Sequence, residues 1–430
     1  MTYQQSLDYI HSLLRFGMKP GLERITRLCQ RLGDPQKKLS FVHVAGTNGK
    51  GSTCSMLASI LRKAGYKTGL YTSPFVTDFC ERMQIDGVPI SHGDLSRWTE
   101  KLRPMIEKIS SEGEAVTEFE AITALAFAWF EEQDCDIVVL ETGLGGRFDA
   151  TNVIDRPLCS VITSIGLDHT QILGDTLDKI AFEKCGILKP DGRTVCYPAQ
   201  SEEALSIIKG RAEEEHNALR IGTMEDLTVH SMTWEGSELT YRGFDFHLPL
   251  LGVHQHANAV TVLETVESLR EAGLCISDQA VREGIRDVVW TARLEILARH
   301  PLTLLDGAHN PQAMGMLAGT LQALEPGRKF HVVLGMLADK DYPDAVALIA
   351  PLCASMACVT PDNPRALTSD RLAWEAERHG VPACSFDWDY QGAIDFATQK
   401  AGQEGMVLLC GSLYLAGSLR PLVLENIKNE

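Results

Sequence analysis

Residues 41–53 read FVHVAGTNGKGST, an apolar run followed by GTNGKGS and then by a helix-like stretch. A phosphate needs several backbone N–H groups converging on it without obstruction by Cβ atoms. A glycine-rich loop feeding a helix N-terminus supplies them, together with the positive end of the helix dipole. Lys50 then reaches the terminal phosphates of a nucleotide, and the Ser52 hydroxyl can ligate Mg²⁺. The spacing departs from GxxxxGK[ST], because Gly51 separates Lys50 from Ser52; the competing reading is a Gly-rich turn with a solvated lysine. A P-loop also needs an acid at the end of a neighbouring strand to hold the metal, and Glu141 ends the apolar run DIVVLE. On its own such an acid is commonly just the first solvated residue of a loop. Coupling to the P-loop, and the three glycines of the following TGLGGRFDATN, favour the ligand-binding reading.

Five further residues have suggestive positions. His169 follows the apolar run LCSVITS, at the edge where open α/β sheets bind ligands, and a neutral imidazole can ligate a metal. Lys184 lies close to the apolar stripe of LDKIAFEKCGIL. Burial there would lower its pKa and free the amine for covalent chemistry, whereas the spacing alone favours a lysine reaching out to solvent. Asp306 and His309 sit in LTLLDGAHNPQAM between a strand-like and a helix-like stretch, a loop suited to a ligand, although an Asp capping a helix would look similar. Arg293 lies in DVVWTARLE, where a guanidinium could close over a phosphate.

The elements that must position these residues alternate along the chain. Strand-like runs at 41–45, 67–72, 136–141, 158–164 and 193–198, separated by amphipathic stretches, predict a parallel sheet covered by helices on both faces. Residues 228–250 alternate polar and apolar side chains over short spans, which predicts a small antiparallel insertion. A second series of runs at 302–308, 330–336, 355–360 and 405–411 predicts a smaller α/β domain, with the join inside 287–295. The 430 residues fit two or three domains of about 150 residues each. Forty Lys and Arg against 57 Asp and Glu leave a net charge of −17, which argues against a large nucleic-acid footprint or a polybasic membrane surface. No apolar run approaches the roughly 18 residues of a membrane span, and no secretion signal is visible, so a cytoplasmic protein is expected. The twelve cysteines, with no CxxC pair, read as reduced thiols acting as small hydrophobes.

Taken together, LDYIHSLLRFGMKPGLERI, HVAGTNGKGST, YTSPF, FEAITALAFAWF, ETGLGGRFDATN, TSIGLDHTQILGDTLDKIAFEKCGIL, GVHQHANA, LDGAHNPQAM, GMLADKD and CGSLYL resemble the folylpolyglutamate synthase and dihydrofolate synthase group of the Mur ligase superfamily. The segments keep the family's order from about residue 7 to residue 415. The resemblance implies an α/β fold with an N-terminal P-loop domain of Mur ligase type, residues 1–291, and a smaller Rossmann-like glutamate ligase domain, residues 292–430. It implies an ATP-dependent ligase that activates the carboxylate of a folate as an acyl phosphate, which the amino group of L-glutamate then attacks. Gly46, Thr47, Asn48, Gly49, Lys50, Gly51 and Ser52 match the family's P-loop, and Asn258, Arg293 and Asp306 its other ATP contacts. Ser52, Ser73, Glu141 and His169 match the positions holding two Mg²⁺ ions. Lys184 matches the lysine that takes up CO₂ as a carbamate, which replaces the solvent-facing reading. His309 matches a loop facing the cleft where glutamate and the acyl phosphate meet, and with Lys50, Lys184 and Arg293 it forms the expected catalytic set.

Asp149, Ala150, Thr151 and Asn152 match a segment near the pterin side of the cleft, and Phe75 stands where a substrate contact is expected. The resemblance implies ATP, L-glutamate and folate or dihydropteroate as partners, and a monomer. Two positions depart from the family: Phe75 stands where His is usual, and Ala292 where Gly is usual before the arginine of the join. A methyl at 292 disfavours positive φ and bears on domain closure. Alternatives that remain open are a dihydrofolate synthase only, a cell-wall ligase of the same superfamily, and a nucleotide-binding relative without catalysis.

Overall fold

The computed structural model describes residues 1–17 and 20–429, so Met18 and Lys19 of the first matching segment lie outside the described residues. The first sheet is built from β1 (Phe41–Ala45), β2 (Thr68–Tyr71), β3 (Met83–Ile85), β4 (Val88–Pro89), β5 (Ile137–Glu141), β6 (Cys159–Ile162), β7 (Arg193–Cys196) and β8 (Ala218–Ile221). Their order is β4-β3-β2-β5-β1-β6-β7-β8, and every pair from β2 to β8 is parallel. Each of the five predicted runs is a strand of this sheet. β1 and β5 are buried along their whole length, as parallel strands covered on both faces must be. One apolar cluster lies on one face, under the helices His92–Ser111 and Glu118–Glu132. Another lies on the opposite face, under the helices Lys50–Lys63 and Val253–Glu271.

The antiparallel insertion is present as β9 (Leu227–Thr233), β10 (Gly236–Tyr241) and β11 (Phe244–Leu248). The third sheet holds β12 (Glu295–Arg299), β13 (Leu302–Leu305), β14 (Phe330–Leu334), β15 (Cys353–Cys358), β16 (Ala383–Ser385) and β17 (Met406–Cys410). Its order is β12-β13-β17-β14-β15-β16, parallel except for the edge pair β12 and β13. The edge elements β4, β12 and β16, and β3 beside β4, are short or partly exposed, so they carry no apolar run. Ten of the twelve cysteines are buried, and Cys275 and Cys384 are exposed. No helix among the described residues is long and apolar enough to cross a membrane.

The strand orders decide where the site forms. In the first sheet β2, β5, β1 and β6 are consecutive neighbours, so the loops leaving their carboxyl ends, carrying Ser73, Glu141, the P-loop and His169, lie side by side. In the third sheet β13, β17 and β14 are neighbours, which groups the loops carrying Asp306 to His309, Ser412 and Lys340.

Candidate active site

The P-loop leaves β1 and ends in Gly49, which precedes the helix Lys50–Lys63 with φ +84° and no side-chain cap. The first N–H groups of that helix therefore have no side chain competing for them. The glycines are also required by packing: a Cβ on Gly49 would stand 2.5 Å from Asn258 Oδ1, and one on Gly51 would stand 2.6 Å from the Trp290 ring. Thr163 holds the loop by donating from Oγ1 to Asn48 O at 2.9 Å, and the Thr47 hydroxyl donates to Gly166 O at 3.0 Å.

Lys50 curls back over its own loop, donating to Gly46 O at 3.1 Å and Thr47 O at 3.3 Å, and its Nζ stands 3.9 Å from Glu141 Oε1. Glu141 is buried and accepts one backbone bond, from Ser73 N at 3.2 Å. Burial pushes its carboxyl up, opposed by Lys50, by the Ser73 bond and by Arg293. A buried carboxylate with a lysine and one amide for partners keeps lone pairs for a cation. Ser52 is buried and accepts from Gln255 Nε2 at 3.1 Å; Gln255 in turn accepts from Asn258 Nδ2 at 2.9 Å. The helix Val253–Glu271 thus backs the P-loop.

Lys184, at the end of the helix Leu177–Lys184, is buried, with Nζ donating to Gly46 O at 2.7 Å. The solvent-facing reading drawn from its spacing is corrected: the stripe around it packs under the P-loop. Burial, and then Lys50, lower its pKa to about 7. His169 stands at φ +50° in front of the short helix Thr170–Leu173. Its side chain is half-exposed, and burial lowers its pKa, with Lys184 and Lys50 close enough to contribute.

The DATN segment, expected near the pterin side of the cleft, is tied into the loop that follows β5. Asp149, Ala150, Thr151 and Asn152 are buried. Asp149 accepts from Leu144 N at 2.8 Å, Thr151 N at 3.0 Å and Thr151 Oγ1 at 2.5 Å. Thr151 Oγ1 accepts from His43 Nε2 at 2.9 Å. Asn152 Nδ2 donates to Arg147 O and Gly186 O. These groups brace the loop after β5 and tie it to the turn beyond Lys184. Phe75 packs against Phe79 and under Arg82, and lines a cavity of about 370 Å³ beside the outer flank of the P-loop helix, bounded also by Ser59 and Trp290.

Arg293 enters from the join near Glu141 and Asp306; burial pushes both carboxyls up, and the guanidinium opposes that rise. Asp306 does not cap the helix Pro311–Leu324; Asn310 does, accepting from Ala313 N at 2.8 Å. The Asp306 oxygens instead accept from Leu294 N and Ala308 N, both at 2.7 Å, fastening the join to its own loop. Ala292 is fully buried with φ +55°, so the methyl does not prevent the left-handed conformation. His309 Nδ1 faces Gly307 O at 2.9 Å, so that nitrogen carries the proton and Nε2 keeps its lone pair. Burial, and then Lys340, lower its pKa to about 4.

Sequence reasoning missed the seam that closes the cleft. Asp168 receives Lys340 Nζ at 2.6 Å and Asn310 Nδ2 at 3.4 Å, and His309 Nε2 lies 3.9 Å away. Burial alone would push the Asp168 carboxyl up; His169, Lys340 and His309 together hold it well below the usual carboxylate range. Gln312 bridges in the same way, accepting from Asn48 at 2.7 Å and donating to Ser164 at 3.1 Å. Asp168 and Lys340 each stand inside a matching segment, but only their meeting across 172 positions gives them a role.

A glycine-rich loop opening a helix and a buried acid on the adjoining strand, facing a second, mostly parallel sheet across a cleft, are the layout of a nucleotide-dependent ligase of the Mur type. Residues 44–266 match the Mur ligase middle domain, and residues 292–413 the Mur ligase, glutamate ligase domain. The dihydrofolate synthase/folylpolyglutamate synthase of Bacillus subtilis (strain 168) is 38% identical over 430 residues, covering 97% of this chain and 98% of that protein. The structure of Mycobacterium tuberculosis folylpolyglutamate synthase complexed with ADP and AMPPCP superposes with a TM-score of 0.87 at 33% identity, covering 98% of this chain and 99% of that one. E. coli FolC in complex with DHPP and ADP gives 0.86 at 31% identity, covering 100% and 99%. The chain belongs to the folylpolyglutamate synthase/dihydrofolate synthase family of Mur ligases.

Proposed function

We propose that this chain is an ATP-dependent ligase that joins L-glutamate to the carboxylate of a reduced folate and its polyglutamates, with dihydropteroate as a second acceptor. The observation that carries the reading is end-to-end similarity to synthases of that name, combined with a P-loop whose lysine faces a buried acid. A carboxylate is a poor electrophile at neutral pH, and phosphorylation by ATP removes its charge and installs a leaving group. The work of the protein is therefore positioning and charge neutralisation. In this reading the P-loop amides of Gly46 to Ser52 and Lys50 bind the nucleotide phosphates, with Asn258, Arg293 and Asp306 forming the rest of the nucleotide site. Two Mg²⁺ ions would be held by Ser52, Ser73, Glu141 and His169, neutralising phosphate charge; the orphaned lone pairs of buried Glu141 fit that role. Lys184, buried and with its pKa lowered to about 7, has a neutral amine available near neutral pH that suits addition of CO₂, which forms an N–C bond and releases the amine proton to water. Its carbamate would supply a negative group beside the metal site. His309, neutral with a free Nε2, would accept a hydrogen bond from the incoming amino group and orient it toward the acyl phosphate. Asp149 to Asn152 hold the loop after β5 that borders the pterin side of the cleft, and Phe75 shapes the approach beside Ser73.

The chain divides at 291/292 into a P-loop domain and a glutamate ligase domain, and it works as a cytoplasmic monomer. Substrate choice is tested by supplying ATP, Mg²⁺ and glutamate with either dihydropteroate or a reduced folate. ADP release with both establishes the bifunctional reading, release with one fixes the specificity, and release with neither overturns the function.

A further inference from the structure

Away from the P-loop, Asp78, Cys80 and His92 bring a carboxylate oxygen, a thiol sulfur and an imidazole nitrogen within 4.8 Å of one another. Two local structures produce this convergence. Asp78 caps the turn Phe79–Arg82, accepting from Cys80 N at 2.7 Å while Glu81 accepts from Asp78 N at 3.0 Å. His92 opens the helix His92–Ser111, and its ring is stacked on Tyr3 with centroids 3.7 Å apart and planes 7° from parallel. The stacking aims Nε2 at Asp78 Oδ2, 3.4 Å away. The Tyr3 hydroxyl stands 3.3 Å from Asp78 Oδ1 and 3.9 Å from the Cys80 sulfur. Cys80 forms a buried floor, and the side chains of Asp78 and His92 are 45% and 58% exposed, which leaves a path from solvent.

Without an ion the four groups form a hydrogen-bonded chain, Cys80 donating to the Tyr3 hydroxyl and that hydroxyl donating to Asp78, and an ion would displace the thiol proton from that chain. One sulfur, one imidazole and one carboxylate are a donor set suited to zinc. Ligands of a tetrahedral Zn²⁺ lie about 3.3–3.8 Å from one another, so shifts of about 1 Å would close the present set around an ion. We infer that Asp78, Cys80 and His92 form a binding site for one zinc-class divalent ion, with its fourth position open to water or the Tyr3 phenol. Binding forms a sulfur–metal bond and releases the thiol proton to water. The ion would tie the N-terminal helix Tyr3–Ser12 and the helix His92–Ser111 to the segment that follows Ser73. That segment touches the helix Leu413–Asn429, where a Cβ on Gly417 would meet Val76 O at 1.9 Å.

The test uses the full chain, freed of metal by a chelator and held in excess Mg²⁺, titrated with Co²⁺ as a coloured substitute. One equivalent is expected to give a near-ultraviolet sulfur-to-cobalt band and tetrahedral visible absorption, both removed by Zn²⁺. Cys80→Ser and His92→Ala are each expected to abolish the signal. Should the buried Cys80→Ser variant not fold, the surface variant His92→Ala carries the comparison. Absence of the sulfur-to-cobalt band, or its survival in His92→Ala, overturns the site, whatever the ligase assay shows.

Discussion

Lys184 is the residue whose sequence context and surroundings disagree most. Its spacing alone suits a lysine reaching for water, yet it ends under the P-loop with a pKa near 7, because the fold stacks its helix beneath Gly46. The sign of the pH effect follows from burial. Between about pH 7 and the ordinary lysine range the unfolded chain holds one more proton here than the native chain, so stability rises with pH across that window and falls as pH drops toward 7. Lys184→Met removes the buried charge, and Gly46 O keeps Lys50 as a donor. This variant is expected to lose most ligase activity while its thermal midpoint at pH 7 is equal or higher; near-normal turnover would remove the carbamate reading. Uptake of labelled CO₂ by the native protein, followed by NMR, is expected to rise through about pH 7. Ala292 offers a second test. Relief of a left-handed Cβ gains about 1–2 kcal/mol, loss of a buried methyl costs about 0.8 kcal/mol, and the freer unfolded glycine costs about 0.4–1 kcal/mol. These nearly cancel, so Ala292→Gly is expected to change stability by less than about 1 kcal/mol in a urea titration, and a larger loss would show that the methyl packing dominates.

The strands that carry chemistry were legible because parallel strands buried on both faces must be apolar throughout, as β1 and β5 are. The strands at or next to the sheet edges, β3, β4 and β12, were not, because partly exposed strands of two to five residues leave no run to read. Gly49 shows how elements hold the loop: it needs both a positive φ and the space beside Asn258. Gly49→Ala is expected to destabilise the chain by about 1–3 kcal/mol and to weaken ADP binding at least about tenfold, both measurable by titration; unchanged affinity would show that the loop tolerates the shift.

At the scale of the whole molecule, the net charge of −17 looks unsuited to anionic substrates. Local arrangement decides otherwise, since Lys50, Arg293, Lys340 and a helix N-terminus meet in one cleft, and net charge does not report on it. The residues matching the P-loop were legible in the sequence as a run, whereas the seam of Asp168, Lys340, Asn310 and Gln312 was not, because no local pattern announces a contact between distant loops. Asp168→Asn removes the charge that Lys340 meets. It is expected to speed proteolysis in the join, where Val289 is 81% exposed, with secondary structure unchanged; an unchanged cleavage rate would show that the seam does not depend on this pair. Glutamate ligation is the central property of the proposed function, and the direct measurement is transfer of labelled L-glutamate to a reduced folate in the presence of ATP and Mg²⁺. One glutamyl residue gained by the folate for each ADP released is the predicted result. ADP release without glutamyl transfer, or no turnover with any pteridine acceptor, would contradict it.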